Sequence, residues 1–182
     1  MMIFFRRVLG IIKIEKHIFK DIEKDGSTVF QGFLVALLTA IANALIAKKY
    51  FFSTTALNIP TSFLIVMWIF LNLYVLSYII NFVGLKMFPE GKSGSKYQNL
   101  LKLIGYSYSP ELLKFLLLFY PKFLQAVSFG TFFWVITCQV LAVKMTFNFK
   151  SFWKSLGIVI LSYIFQIIFV FLFIVLIFYS FK

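Results

Sequence analysis

The sequence predicts an all-α integral membrane protein: a five-helix transmembrane bundle with an N-terminal interfacial amphipathic helix and a proline-broken third span. Of the 182 residues, 62% are hydrophobic and the mean hydropathy is +0.95, whereas a soluble domain is about half apolar. Four long runs are uncharged, a fifth at residues 97–120 contains three charged residues, and most basic residues lie near the ends of these runs. A net charge of +12 arranged in this way indicates contact with anionic lipid, and no nucleic acid is expected as a partner.

Residues 1–26 form the first predicted unit, a basic amphipathic helix at the membrane surface. Between residues 4 and 24, apolar side chains recur at helical spacing, and Gly26 is placed to end the helix. The same apolar face is equally compatible with packing on the ends of the protein's own helices. The opposite face carries the basic side chains expected to meet anionic head groups, among them Arg6, Lys13, Lys16 and Lys20.

Residues 27–182 form the second predicted unit, the transmembrane domain. A helix rises 1.5 Å per residue, so about 20 apolar residues cross the roughly 30 Å hydrocarbon core. Lysines and aromatic residues flank the apolar runs, as is usual at membrane interfaces. The predicted spans are residues 28–47, 59–85, 97–120, 123–143 and 155–181.

The third predicted span contains a proline, and we expect its helix to break there. Pro110 lacks a backbone N–H and disfavours helical geometry at Ser109, so the helix should end near Tyr108. Ser109 then suits an N-cap, and Glu111 meets the positive end of the restarted helix. Glu111 and Lys114 are one turn apart and form a candidate intramembrane ion pair.

The distribution of basic residues predicts which side of the membrane holds the N-terminus. With five spans, 13 of the 18 Lys and Arg residues lie on the N-terminal side, which is therefore cytoplasmic or stromal. A third span that enters and returns gives the same totals. It would also place a short loop with three lysines on the outer side, which the bias in short loops disfavours, so five spans are favoured.

A short motif within the third span carries a family resemblance. GYSYSP at residues 105–110 resembles the G-Y-x-x-x-P signature of the Ypt/Rab-interacting protein (YIP) family, with Gly105, Tyr106, Pro110 and the adjacent Glu111 as the signature positions. The D-L-Y-G-P motif of the eukaryotic trafficking members is absent, so the likeness is to prokaryotic-type members. The resemblance implies five spans and a cytoplasmic N-terminus. It also includes RRVLG at 6–10, FKDIEKDGSTVFQG at 19–32, PELL at 110–113, and Trp134 with Ala142 and Val143.

No motif in the sequence predicts catalysis, and we expect no enzyme activity, catalytic residue, cofactor or metal site. The chain has one cysteine and one histidine, and it lacks H-E-x-x-H, a dinucleotide-binding loop and a carboxylate pair. Amide side chains within the predicted spans either hydrogen-bond neighbouring helices or line a polar pathway with Glu111. They are Asn43, Asn72, Asn81, Gln139 and Gln166.

These observations predict a non-enzymatic, multi-pass membrane scaffold or adaptor that associates with lipid and with other membrane-protein subunits. Two alternatives remain: a small permease or channel-like subunit, and an accessory subunit of a large organellar complex such as a photosynthetic one. Lysine outnumbers arginine 16 to 2, and Phe, Ile, Asn and Tyr are abundant. This usage is typical of AT-rich genomes and favours a plastid membrane, with a bacterial plasma membrane as the alternative.

Overall fold

The computed structural model describes residues 2–50, 59–87 and 97–180, and within these ranges the chain is helical with no strand. This confirms the predicted all-α class. The described residues form seven α-helices and two 3₁₀ helices, the latter at Ser109–Leu118 and Pro121–Phe123. The α-helices are α1 Met2–Ile12, α2 Lys16–Lys24, α3 Thr28–Tyr50, α4 Ile59–Met87, α5 Tyr97–Ser107, α6 Leu124–Thr146 and α7 Phe152–Ser180.

Four of these helices are long and apolar enough to cross a membrane. They lie on the predicted first, second, fourth and fifth spans, because those sequences are continuous apolar runs with no helix breaker in their interiors. Each leaves much of its surface exposed, as expected of helices that face lipid. The candidate spans among the described residues are Thr28–Lys49, Val66–Lys86, Leu124–Thr146 and Phe152–Leu172.

The predicted third span has a different local structure. α5 ends at Ser107, and the chain continues as the 3₁₀ helix Ser109–Leu118, with Pro110 in its first turn. The N-cap predicted at Ser109 is wrong, because its hydroxyl donates backwards to the Tyr106 carbonyl at 2.6 Å. The Ser109 hydroxyl therefore satisfies an acceptor at the end of α5, and the restarted helix has no side-chain cap.

The single amphipathic helix predicted for residues 4–24 is also wrong. The chain forms a helical hairpin of α1 and α2, and the turn between them places Ile14 in the left-handed region with φ 59°. A β-branched residue is rarely found there, so tertiary packing must hold the turn. A Cβ at Gly10 would lie 2.5 Å from Ile18 Cγ1, so the close approach of the two helices requires glycine.

The apolar face of the hairpin packs on the helices of the bundle. Ile18, Phe19 and Ile22 of α2 and Ile11 of α1 are at most 1% exposed and belong to the main hydrophobic core. α2 also packs against α5 and α6. The apolar face was predicted to contact either the membrane surface or the protein's own helices. At these residues it packs on the protein's own helices.

α3 runs beside the 97–118 region in the same direction. Successively later residues of α3 contact successively later residues of the 97–118 region, from the first turns of α3 to its end. The paired positions are Gly32 with Gly105, Thr39 with the Tyr108 carbonyl, Asn43 with Glu111, and Lys49 with the Leu118 carbonyl.

Candidate functional site

Two polar clusters lie along the seam between α3 and the 97–118 region. The Arg7 cluster, at the start of α3, consists of Arg7, Asp21, Asp25, Gln31 and Tyr106. The Glu111 cluster, nearer the end of α3, consists of Asn43, Glu111 and Lys114. Each cluster joins side chains that are distant in sequence, so each depends on the fold.

The Arg7 guanidinium joins three elements through separate nitrogens. Nε donates to Asp21 Oδ2 at 2.8 Å, Nη2 to Asp25 Oδ2 at 2.9 Å, and Nη1 to Gln31 Oε1 at 3.1 Å. The Arg7 side chain is only 5% exposed. Charge-assisted bonds of this kind are roughly twice as strong as neutral ones, and the planar fork of arginine suits several acceptors at once. Arg7 therefore fixes α1 against α2 and α3.

The signature tyrosine extends this cluster to α5. Tyr106 is fully buried, and its hydroxyl donates to Gln31 Oε1 at 2.5 Å, so the same oxygen accepts from both Arg7 and Tyr106. Lys102, one turn earlier on α5, donates to the backbone carbonyls of Glu23 at 2.5 Å and Asp25 at 3.0 Å. The end of α2 is thus bound to α5 as well as to α1.

The signature glycine allows α3 and α5 to approach at backbone distance. A Cβ at Gly105 would lie 2.8 Å from the Gly32 carbonyl oxygen, and a Cβ at Gly32 would lie 2.9 Å from the Lys102 carbonyl oxygen. Real Cβ atoms are essentially never found this close to another heavy atom, so neither position accepts a side chain without movement of a backbone. The crossing requires both glycines, as at many membrane helix contacts.

The hydrogen bonds around Asp25 favour its ionised form. Hydrogen bonds from the Ser27 hydroxyl and the Ser27 backbone N–H, together with the bond from Arg7, lower the pKa of Asp25 from its usual 3.8 to about 2. Hydrogen bonds to the charged form act in this direction. Asp25 therefore stays ionised over the physiological range and keeps its bond to Arg7.

The Glu111 cluster is a closed triangle of three side chains. Lys114 Nζ lies 3.1 Å from Glu111 Oε1, Asn43 Nδ2 donates to Glu111 Oε2 at 2.9 Å, and Lys114 Nζ donates to Asn43 Oδ1 at 3.1 Å. The side chains of Glu111 and Lys114 are 16% and 11% exposed. Their charges cancel, and Asn43 bridges them from α3, so neither ion is left unpaired in an apolar region.

A small cavity of about 210 Å³ adjoins this triangle. Its wall combines polar groups of α3, α4 and the 97–118 region with two apolar side chains of α4. The lining residues are Thr39, Asn43, Trp68, Ile69, Asn72, Tyr108 and Glu111.

Four of the five amide side chains predicted either to join helices or to line a pathway take one of these roles or both. Asn43 and Asn72 line the cavity with Glu111, whereas Asn81 does not. Gln166 of α7 donates to Asn72 Oδ1 and so joins α7 to α4. Gln139 of α6 accepts from the Tyr163 hydroxyl at 2.8 Å and so joins α6 to α7. Hydrogen bonds between helices therefore coexist with a partly polar cavity wall.

The basic residues predicted to meet lipid lie on the outer side of the hairpin. Lys13, Lys16 and Lys20 are exposed, and the Arg6 side chain is 67% exposed with its Nη2 3.8 Å from Asp21 Oδ2. Arg7, the buried neighbour of Arg6, is not among the site residues predicted from the sequence. Two sequence blocks could have indicated the Arg7 cluster, RRVLG at 6–10 and FKDIEKDGSTVFQG at 19–32. Together they supply Arg7, Asp21, Asp25 and Gln31.

No metal site can be assigned to the described ranges. Across residues 2–50, 59–87 and 97–180, no three His, Cys, Asp or Glu side chains come together as ligands. Cys138 is buried in α6 with its Sγ 3.7 Å from the Ile11 carbonyl oxygen, and burial is typical of a packing role for cysteine.

Long apolar helices, a buried small-residue crossing and paired polar groups within the bundle define a multi-pass helical membrane protein. The comparison with known families agrees. The chain matches the Yip1 domain family model over residues 9–175, nearly its whole length, and it belongs to the Yip1 domain family. The resemblance carried by GYSYSP is thereby confirmed. No curated protein and no solved structure matches the chain.

Proposed function

We propose that this chain is a five-span, non-enzymatic scaffold or adaptor that presents a rigid basic surface to other membrane proteins. The observation that carries the proposal is the Arg7 cluster. It holds the α1–α2 hairpin on the bundle through charge-assisted bonds and leaves the exposed lysines of the hairpin in fixed positions. A preorganised surface binds at a lower entropic cost than a mobile one.

Five crossings are supported by the matching order of contacts between α3 and the 97–118 region. Lys102 binds carbonyls next to the start of α3, and Lys49 at the end of α3 binds the Leu118 carbonyl. A segment that runs beside a membrane-spanning helix from one end to the other crosses with it. The third crossing then consists of α5 and the 3₁₀ helix together. With five crossings, the distribution of basic residues supports an N-terminus on the cytoplasmic or stromal side.

The topology has a direct test. Reporters fused before Met1 and after Lys182 should be found on opposite sides of the membrane, because five crossings separate the two termini. Reporters on the same side would contradict the third crossing.

A scaffold is favoured over a transporter because the Glu111 cluster is internally satisfied. Both charged groups are paired with each other and with Asn43, so no unpaired charge is available to bind a solute or to release a proton. A functional carboxylate in a transport pathway is expected to face water or its substrate.

A permease or channel-like subunit is the second candidate, and the 210 Å³ cavity favours it. Glu111, Asn43 and Asn72 share its wall, which is the arrangement that a polar pathway through the bundle requires. In this alternative the carboxylate exchanges its bond to Lys114 for a bound solute.

One set of experiments separates the two candidates. A photo-crosslinking residue at Lys16, on the hairpin, should capture a discrete membrane-protein partner in native membranes, and the same residue at Lys122 serves as the control at the other end of the bundle. In reconstituted vesicles, the wild type and Glu111→Gln should give the same solute and proton flux. Flux that Glu111→Gln abolishes, with no partner captured at Lys16, would replace the scaffold by the permease.

The membrane that holds the protein is a separate part of the proposal. AT-rich residue usage supports a plastid membrane over a bacterial plasma membrane, and a plastid protein of this kind fits an accessory subunit of a large organellar complex. Fractionation of plastid membranes followed by native electrophoresis tests both points. Migration at the mass of the free chain would remove the accessory-subunit alternative.

A further inference from the structure

A second cavity, of 240 Å³, lies between α2 and the C-terminal end of α6. Lys16 and Lys20, four residues apart on α2, stand on one side, and Lys144 in the last turn of α6 stands on the other. Three lysines from two separate elements thus line one partly open cavity. Neither the exposed face of α2 nor the end of α6 would create this arrangement alone.

The remaining wall of this cavity is mainly apolar. Leu141 and Met145 belong to the candidate span of α6, and Phe149 follows it in the turn before α7. The cavity is therefore placed where a membrane-spanning helix ends, with charge on the outer side and apolar surface continuous with the span. This combination matches the junction of a lipid head group with its glycerol backbone and acyl chains.

Glu23 is the acidic side chain in this wall, and lysines both in the wall and outside it oppose its charge. Lys102 binds the Glu23 backbone carbonyl and, together with Lys20 and Lys24, acts electrostatically on the carboxylate. Burial raises the pKa of Glu23. Three lysines against one carboxylate leave an excess of positive charge in the cavity, which selects an anion.

We propose that this cavity, hereafter the Lys144 cavity, binds the phosphodiester head group of an anionic membrane lipid. Lysine ammonium groups bind phosphate as point charges and supply up to three donors each. The apolar wall assigns the phosphate to a lipid, because a soluble phosphate would gain nothing from Leu141, Met145 and Phe149. The site does not depend on the scaffold role proposed above.

The test measures binding of phosphatidylglycerol to the full chain in phosphatidylcholine nanodiscs. Changing Lys16, Lys20 and Lys144 together to Gln should weaken binding about 100-fold. Each lysine near anionic lipid raises the affinity about fivefold, and the three effects multiply. The matched control changes Lys13, Lys24 and Lys150 to Gln. These lysines are exposed and carry the same total charge, but they lie outside the cavity wall, and only a few-fold change is expected.

Equal weakening in the two triple variants would overturn the site, because it would mean that only net charge attracts the lipid. Glycerol phosphate and inorganic phosphate form a further arm, and neither should compete with phosphatidylglycerol at millimolar concentration. Competition by either one at the affinity of the lipid would overturn the assignment to a lipid. Circular dichroism of both variants checks that the helices are retained.

Discussion

The Arg7 and Glu111 clusters lie along the same helix, α3, but they hold their charges in different ways. In the Arg7 cluster the arginine is buried, whereas the side chains of Asp21 and Asp25 are 38% and 37% exposed, so water shares the negative charge. In the Glu111 cluster both ions are less than a fifth exposed and are matched one to one. The comparison indicates that a cluster at the end of the bundle tolerates excess charge, whereas one deeper in the bundle must be neutral.

The two clusters also fix different parts of the molecule. Arg7 joins the N-terminal hairpin to the start of α3, and Glu111 joins the 3₁₀ helix to the later part of α3. The crossing of Gly32 and Gly105 adjoins the Arg7 cluster, next in sequence to Gln31 and Tyr106, and sets the distance between the segments that both clusters join. Substitutions in the Arg7 cluster, in the Glu111 cluster and at the glycine crossing should therefore destabilise different amounts of the molecule.

The largest effect is expected from Gly105→Ala, because it separates the two backbones and disturbs both clusters. Overpacking at a contact this close should cost about 3 kcal/mol of unfolding free energy. Reversible unfolding in detergent micelles measures the change. Gly157→Ala is the matched control, since a Cβ there meets nothing within 4 Å. Equal stability of the two variants would show that the crossing is looser than the structure indicates.

A smaller, local effect is expected from Arg7→Met. The variant leaves Asp21, Asp25 and Gln31 without their shared donor, so hydrogen exchange of α1 and α2 should accelerate about tenfold or more. Exchange in the 3₁₀ helix should not change. Arg6→Met is the control, because Arg6 is mostly exposed. Acceleration throughout the bundle would contradict the separation of the two clusters.

The smallest effect is expected from acid. The pKa of Asp25 is lower in the folded state than in the unfolded chain, so its contribution to stability is complete above about pH 4 and is lost as the pH falls towards 2. Exchange of the hairpin, after division by the intrinsic amide exchange rate at each pH, should therefore accelerate by a few-fold over this interval. Asp25→Asn should remove that part of the pH dependence. A transition centred near pH 6 would identify a different titrating group.

Much of the fold could be predicted because continuous apolar runs determine the four long helices directly. The hairpin could not be predicted, because the residues of its turn, Lys13, Ile14 and Glu15, include no glycine or proline. The turn there is imposed by the contact of Gly10 with Ile18 and by burial of the apolar face. Steric rules predict a change of structure before Pro110, where α5 gives way to a 3₁₀ helix, but the 3₁₀ form of that segment has no local sequence signal.

The site was predictable only where its parts are close in sequence. Glu111 and Lys114 are three residues apart, and helical spacing is enough to pair them. Asn43 is 68 residues from Glu111, and Arg7 is 14 residues from Asp21, so these partners depend on how the helices pack. Arg7 also stands beside Arg6, and composition alone does not distinguish the buried arginine from the exposed one.

The Gly32–Gly105 crossing has a consequence for how the sequence can diverge. In most helix contacts, a larger residue on one side can be compensated by a smaller residue on the other. Here each added Cβ would meet a backbone atom of the facing helix, and no residue is smaller than glycine. A compensating second substitution is therefore not available at either position, and the two glycines should be lost together, if at all, along with the close contact itself.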